Sequence, residues 1–139
     1  MILTKSTDYA VRALCYLSRN SGRLVSVKEL HEKLAVPYPF LRKLLQMLNK
    51  KKIVNSYKGS GGGFELNKSA GEIFLPELIE IFQGPFKINH CTLKGKNCPN
   101  MAYCVLRTRM DEVEAQVYKM MKDISIKELC KDPRKRGGV

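Results

Sequence analysis

A chain of 139 residues with 44% hydrophobic content is long enough to bury one modest core and too apolar to stay disordered. The segment "MILTKSTDYAVRALCYLSRN" is broken at helical spacing by Lys5, Asp8, Arg12 and Arg19, which excludes a signal peptide or membrane span and predicts a cytoplasmic protein with reduced thiols. The net charge of +12 is lopsided: residues 1–68 carry 13 Lys or Arg against 4 acids, and residues 69–139 carry 12 against 9, so the basic half points to a polyanion, nucleic acid above all, with a merely solubilising surface as the alternative.

Residues 3–19 read as a helix, with Leu3, Ala10, Leu14 and Leu17 on one face. After "NSGR", the segment "SVKELHEKL" opens a second helix with a capping box: Ser26 accepts from the amide of Glu29, and Glu29 reaches back. Val27, Leu30 and Leu34 share a face. "AVPYP" forms a tight connection because Pro37 and Pro39 lack the amides that would continue a helix. "FLRKLLQMLNKKK" follows, with Leu41, Leu44, Leu45 and Leu48 inward and Arg42, Lys43, Gln46, Lys50 and Lys51 outward. Two short amphipathic helices across a tight turn, the second with a basic face, make a helix-turn-helix pattern.

"IVNSYKGSGGGFEL" reads as strand, glycine tip, strand, with Phe64 and Leu66 on one face of the returning strand. A phosphate-cradling loop is excluded: its glycines would open a helix and precede Lys-Ser/Thr, whereas Phe64-Glu65-Leu66 continues as a strand. A basic helix followed by a glycine-rich hairpin is a winged helix, and the wing can lie in the minor groove. "LPELIEIFQGP" is a short helix, with Pro76 in its first turn and Gly84 as its stop.

Three of the five cysteines then crowd into "HCTLKGKNCPNMAYC", as Cys91, Cys98 and Cys104. An odd count argues against a disulfide framework. From about Asn100 to Asp123 runs a longer helix on which Leu106, Met110, Val113, Val117, Met120 and Ile124 step by four and three. Such a heptad seam serves either dimerisation or packing within the chain; dimerisation is the stronger reading because a winged helix meets a palindromic site best as a pair. Cys15 reads as a small core hydrophobe, Cys130 as a replaced apolar contact, and His31 as a surface or packing residue.

In order along the chain, "STDYAVRAL", the capped helix-turn-helix, "KGSGGGF", the triple cysteine, the long helix and "ISIKEL" resemble the iron–sulfur-cluster regulator family of winged-helix transcription factors, the IscR/NsrR type. The similarity covers nearly the whole chain. It implies a mainly α fold with a small β wing. Residues 1–84 form the winged helix-turn-helix DNA-binding domain, 85–104 a cysteine cluster-binding loop, 105–130 the dimerisation helix and C-terminal segment, and 131–139 a disordered tail. It further implies a homodimeric DNA-binding repressor or activator, a repressor being the favoured reading, on a palindromic double-stranded operator, without a membrane or small-molecule substrate. Bases would be read from Pro39, Arg42 and Lys43, and phosphate or minor groove met by Lys58, Gly59, Ser60, Gly61, Gly62 and Gly63.

The cysteine loop takes its meaning from soft-ligand chemistry. Thiolates select zinc or iron–sulfur clusters. Zinc usually takes close Cys-x₂₋₄-Cys pairs. The wider gaps of Cys91, Cys98 and Cys104 suit a loop wrapping a larger inorganic core, with Lys94 and Lys96 offsetting its charge. Zinc, a bare thiol sensor and a structural use stay open. The fourth ligand varies in the family: a His three residues past the last cysteine is Arg107 here and cannot ligate, while an acidic residue on the partner's first helix matches Asp8. Asp8 also has a plainer role as a helix-start carboxylate complementing the macrodipole. Asp8 and the missing His together favour [4Fe–4S] over [2Fe–2S]. The resemblance thus implies a sensor of redox state, nitric oxide or iron. The alternative is the same regulator using zinc or reactive thiols. An electron carrier leaves the winged helix unexplained, and an enzyme lacks any nucleophile–base pairing.

Overall fold

The computed structural model describes residues 3–88, 98–99 and 102–131. Helix α1 (Lys5–Arg19) is opened by Thr4, whose hydroxyl accepts from the amide of Thr7, and buries Ala10, Ala13, Leu14 and Leu17. Leu3 precedes the helix and is exposed. Helix α2 (Val27–Leu34) begins where Ser26 Oγ accepts from the amide of Glu29 at 3.1 Å. The return half of the predicted capping box does not form. Glu29 instead takes both Arg23 guanidinium nitrogens, at 2.8 and 2.7 Å, and the Tyr16 hydroxyl at 2.7 Å. A charge-assisted, two-pronged bond outcompetes a neutral amide.

The turn after α2 passes through Ala35 in the left-handed region at φ 53°. Helix α3 (Tyr38–Lys50) then starts two residues before the predicted Phe40. Pro39 sits within its first turn, where no amide is needed. Leu41, Leu44, Leu45 and Leu48 all point into the core, as their spacing predicts.

Strands β1 (Val54–Tyr57) and β2 (Gly63–Leu66) pair antiparallel, Val54 opposite Leu66 and Tyr57 opposite Gly63. Val25 joins as a third rung, exchanging bonds of 3.0 and 2.8 Å with Phe64. This pairing explains Gly63: a Cβ there would stand 2.6 Å from the Val25 carbonyl oxygen.

A single 3-10 turn (Ala70–Glu72) leads to helix α4 (Leu75–Gln83), which buries Leu78 and Ile79 and stops at Gly84. Gln83 Oε1 accepts from Thr4 N at 3.0 Å and from Thr7 Oγ1 at 2.7 Å, so the end of α4 is tied to the start of α1. Helix α5 (Val105–Met121) is shorter than the predicted 100–123, and none of its residues is buried. The chain then turns back. Ile126, fully buried in the common core, begins helix α6 (Ile126–Leu129), and a backbone bridge joins Phe74 to Ser125. No helix among the described residues is long and apolar enough to cross a membrane.

Candidate nucleic-acid interface and cysteine loop

Because α3 turns its leucines inward, its polar face is left to solvent beside the hairpin. Between them lies a groove of about 680 Å³, with Tyr38, Arg42, Gln46 and Asn49 on the helix side and Tyr57, Lys58, Gly59 and Gly62 on the wing side. A smaller hollow of about 330 Å³ continues past Pro39, Arg42 and Lys43. The structure therefore brings together Pro39, Arg42, Lys43 and Lys58, residues far apart in sequence. Ser60 and Gly61 stand exposed at the wing tip, while Gly63 is buried beneath it. Gly59 carries φ +96°, which lets the hairpin turn.

Among the described residues, no ion pair engages Arg42, Lys43 or Lys58. Their charges are free for a polyanion. The one acid on the returning strand, Glu65, is occupied by the Tyr57 hydroxyl at 3.0 Å, and that bond pushes the Tyr57 phenol up from its ordinary value. Tyr57 thus stays a neutral hydrogen-bonding group in the groove.

Lys28, Tyr38, Asn49 and Tyr57 line the groove without a sequence reading as interface residues, and Gln46, read only as outward-facing, joins them. Gln46 and Asn49 follow Arg42 by four and seven residues, so helical spacing placed them on its face. Lys28 and Tyr57 needed the third rung at Val25, a long-range pairing with no local signal. His31 is the surface residue that was expected, its Nδ1 2.7 Å from the Val36 carbonyl oxygen and its ring edge-on to Tyr38.

The cysteine loop is held at both ends. On entry, Glu114 of α5 accepts from Lys87 Nζ and from the Ile88 amide, each at 2.9 Å, and Phe86 packs on Tyr118. On exit, Cys104 is the N-cap of α5, its Sγ accepting from the Arg107 amide at 3.4 Å. Cys98 and Cys104 are free, half-exposed thiols. Cys91, with His90, Lys94 and Lys96, lies outside the described residues. Cys98 and Cys104 are soft donors of the type that thiolate-bound metal groups take, and among the described residues no three His, Cys, Asp or Glu side chains are gathered as a metal site.

Asp8 stands exposed in the first turn of α1, its Oδ2 3.1 Å from Arg12 Nε. On α5, Leu106 is 70% exposed and Met120 78%, Val113 is also exposed, and Met110 and Val117 are half-buried. Ile124, the last step of the predicted seam, lies past the helix, where its carbonyl accepts from the Leu75 amide at 2.8 Å. Cys15 sits in the core and Cys130 packs against it, as their sequence readings have it, but the expectation of no disulfide fails for this pair, whose sulfurs are bonded to each other.

Comparison with known proteins agrees with this architecture. The chain is 35% identical over 131 residues to an Aquifex aeolicus protein named as an HTH-type transcriptional regulator, covering 93% of this chain and 91% of that one. It is 31% identical over 134 residues to the HTH-type transcriptional regulator NsrR of Oceanobacillus iheyensis, covering 95% and 91%. In fold it is similar to CymR, the global cysteine regulator of B. subtilis, with a TM-score of 0.73 at 17% identity over 94% of this chain and 96% of that one. T. potens IscR gives 0.71 at 21% identity over 93% and 85%. The family model described as an iron-dependent transcriptional regulator matches residues 3–132. With its basic winged helix and its position among these relatives, the chain belongs to the Rrf2 family of transcriptional regulators.

Proposed function

We propose that this Rrf2 regulator is a homodimeric repressor that binds a palindromic duplex and senses redox state, nitric oxide or iron through an iron–sulfur cluster. The observation that carries the DNA half is the groove in which Arg42 of the recognition helix and Lys58 of the wing converge without acidic partners. In this reading Arg42 and Lys43 donate to guanine O6 and N7 in the major groove. Lys58, Gly59, Ser60, Gly61 and Gly62 meet phosphate and the minor groove, with Gly63 holding the hairpin in place.

The dimer follows from α5. No residue of α5 is fully buried in its own chain, so exposed Leu106, Val113 and Met120, with half-buried Met110 and Val117, would face a second copy. In functional units, residues 1–84 bind DNA, 85–104 hold the cofactor and 105–130 join the protomers, while Ile126 anchors the last unit back into the first.

Cys91, Cys98 and Cys104 would hold the cluster, [4Fe–4S] ahead of [2Fe–2S], with Asp8 of the partner subunit as fourth ligand. Such a cluster supplies thiolate-bound irons that react with oxygen or nitric oxide. The protein's own contribution is mechanical. Glu114 clamps the loop's entry to α5, Cys104 fixes its exit there, and Gln83 joins the preceding helix to α1. A change in the loop is thereby passed to the helices that carry α3.

Protein purified without oxygen tests this reading. A brown protein whose visible absorption is lost in Cys98→Ala and Cys104→Ala, and which becomes more labile in Asp8→Ala, supports it. A colourless protein with stoichiometric zinc supports the alternative, in which zinc or reactive thiols replace the cluster.

A further inference from the structure

Cys15 and Cys130, 115 residues apart in sequence, are bonded through their sulfurs with their Cα atoms 5.1 Å apart, within the range a disulfide spans without backbone movement. Neither belongs to the cysteine loop, whose described members Cys98 and Cys104 stand as free thiols in the same structure. Cys15 is 7% exposed on the core face of α1, and Cys130 is half-buried at the end of α6. We propose that Cys15 and Cys130 form a reversible dithiol–disulfide site, oxidised by low-molecular-weight disulfides, that fastens α6, and with it the far end of α5, to α1.

A disulfide that alone holds an element in place is a staple; one that adds to other holds can act as a switch. Here α6 has three other holds. Ile126 is fully buried. The Leu75 and Ile126 amides each donate at 2.8 Å, to the Ile124 and Ile73 carbonyls respectively. Arg19 Nη2 donates to the Cys130 carbonyl oxygen at 2.7 Å. The reduced chain therefore keeps its fold, and the two states differ by one tether.

Exposure sets the order of the chemistry. The Cys130 thiolate, the more accessible, attacks one sulfur of a disulfide RSSR, forming a mixed disulfide and expelling RS⁻. The Cys15 thiolate then attacks the Cys130 sulfur and expels the second RS⁻. The protein loses two electrons and two protons, and RSSR becomes two RSH.

The consequence for DNA rests on the reading proposed above. Helix α1 carries α3, with the Tyr9 and Phe40 rings meeting edge to face at 6.4 Å. A tether from α1 to the end of α5 thus fixes each recognition helix relative to the dimer helix, and opening it loosens the spacing that two half-sites demand.

Full-length protein, equilibrated without oxygen in glutathione buffers from reduced to oxidised, is alkylated, weighed intact and digested. Two thiols should disappear in one transition, with a linked Cys15–Cys130 peptide. Amides of residues 124–131 should exchange with deuterium at least tenfold faster in the reduced protein, and Cys130→Ser and Cys15→Ala should show that fast exchange in every buffer. On a duplex enriched by the protein from random DNA, the oxidised parent should bind at least threefold tighter than the reduced one, with no difference for Cys130→Ser. Alkylation of both cysteines at every glutathione ratio, or a linked peptide with unchanged exchange, overturns the site; equal affinity of the two parent forms overturns its coupling to DNA. If no duplex is enriched, the DNA-binding reading fails, while the masses and exchange rates still decide this one.

Discussion

Glu29 is the residue on which the local geometry of the helix-turn-helix turns. Its carboxylate joins Arg23 before α2 to Tyr16 on α1, and the Arg23 bond, followed by that from Tyr16, lowers its pKa from the ordinary 4.5 to about 2. Because the folded value lies below the unfolded one, this contribution to stability is fully present above pH about 4.5 and is lost as pH falls toward about 2. The carboxylate is 27% exposed, so solvent screens part of the effect. Thermal melts of Glu29→Gln should show a shallower loss of melting temperature between pH 5 and about 2 than the parent; parallel curves would assign the acid sensitivity to other groups. Ser26 was legible as an N-cap because a cap is a three-residue relation. The partner of Glu29 was not, since Tyr16 and Arg23 reach it only once α1 and α2 have packed. Cys15 and Cys130 were hidden for the same reason, at a separation of 115 residues.

Element by element, periodicity told most where one face is clearly buried. The four leucines of α3 all proved to be core, and the basic residues between them all proved exposed. Boundaries were less legible. Pro39 signals a helix break and a helix first turn alike, and the seam's regular steps ran past the true end of α5 to Ile124. Within one chain, Leu106, Val113 and Met120 of the seam stay exposed while Met110 and Val117 are half-buried. Val113 is 47% exposed in the single chain, so Val113→Glu should leave the protomer folded. At a dimer seam the same carboxylate is buried without a partner, at a cost of several kcal/mol. Analytical ultracentrifugation should therefore show a dimeric parent and a monomeric, folded Val113→Glu protein. A dimeric variant would place the interface elsewhere.

On the scale of the whole molecule, the chain folds back so that α6 shares its core with the winged helix, and the long α5 is held by Glu114 near the cysteine loop and by α6 at its far end. Under the two proposals above, the cysteine loop and the Cys15–Cys130 bond would act on the same helix from opposite ends. The lopsided charge of the sequence made the nucleic-acid partner legible, but not the convergence of α3 with the wing, which depends on Val25 pairing with Phe64. The central claim is that this groove reads DNA, and the most direct test is a salt-dependent binding titration on a duplex enriched by the protein from random sequence. Parent affinity should fall linearly with the logarithm of salt concentration. Arg42→Ala should cost about 1–3 kcal/mol and relax base discrimination, whereas Lys58→Ala should weaken all duplexes alike and lower the salt slope by about 1. Salt-independent binding, or an Arg42→Ala protein that binds and discriminates as the parent does, would contradict the account.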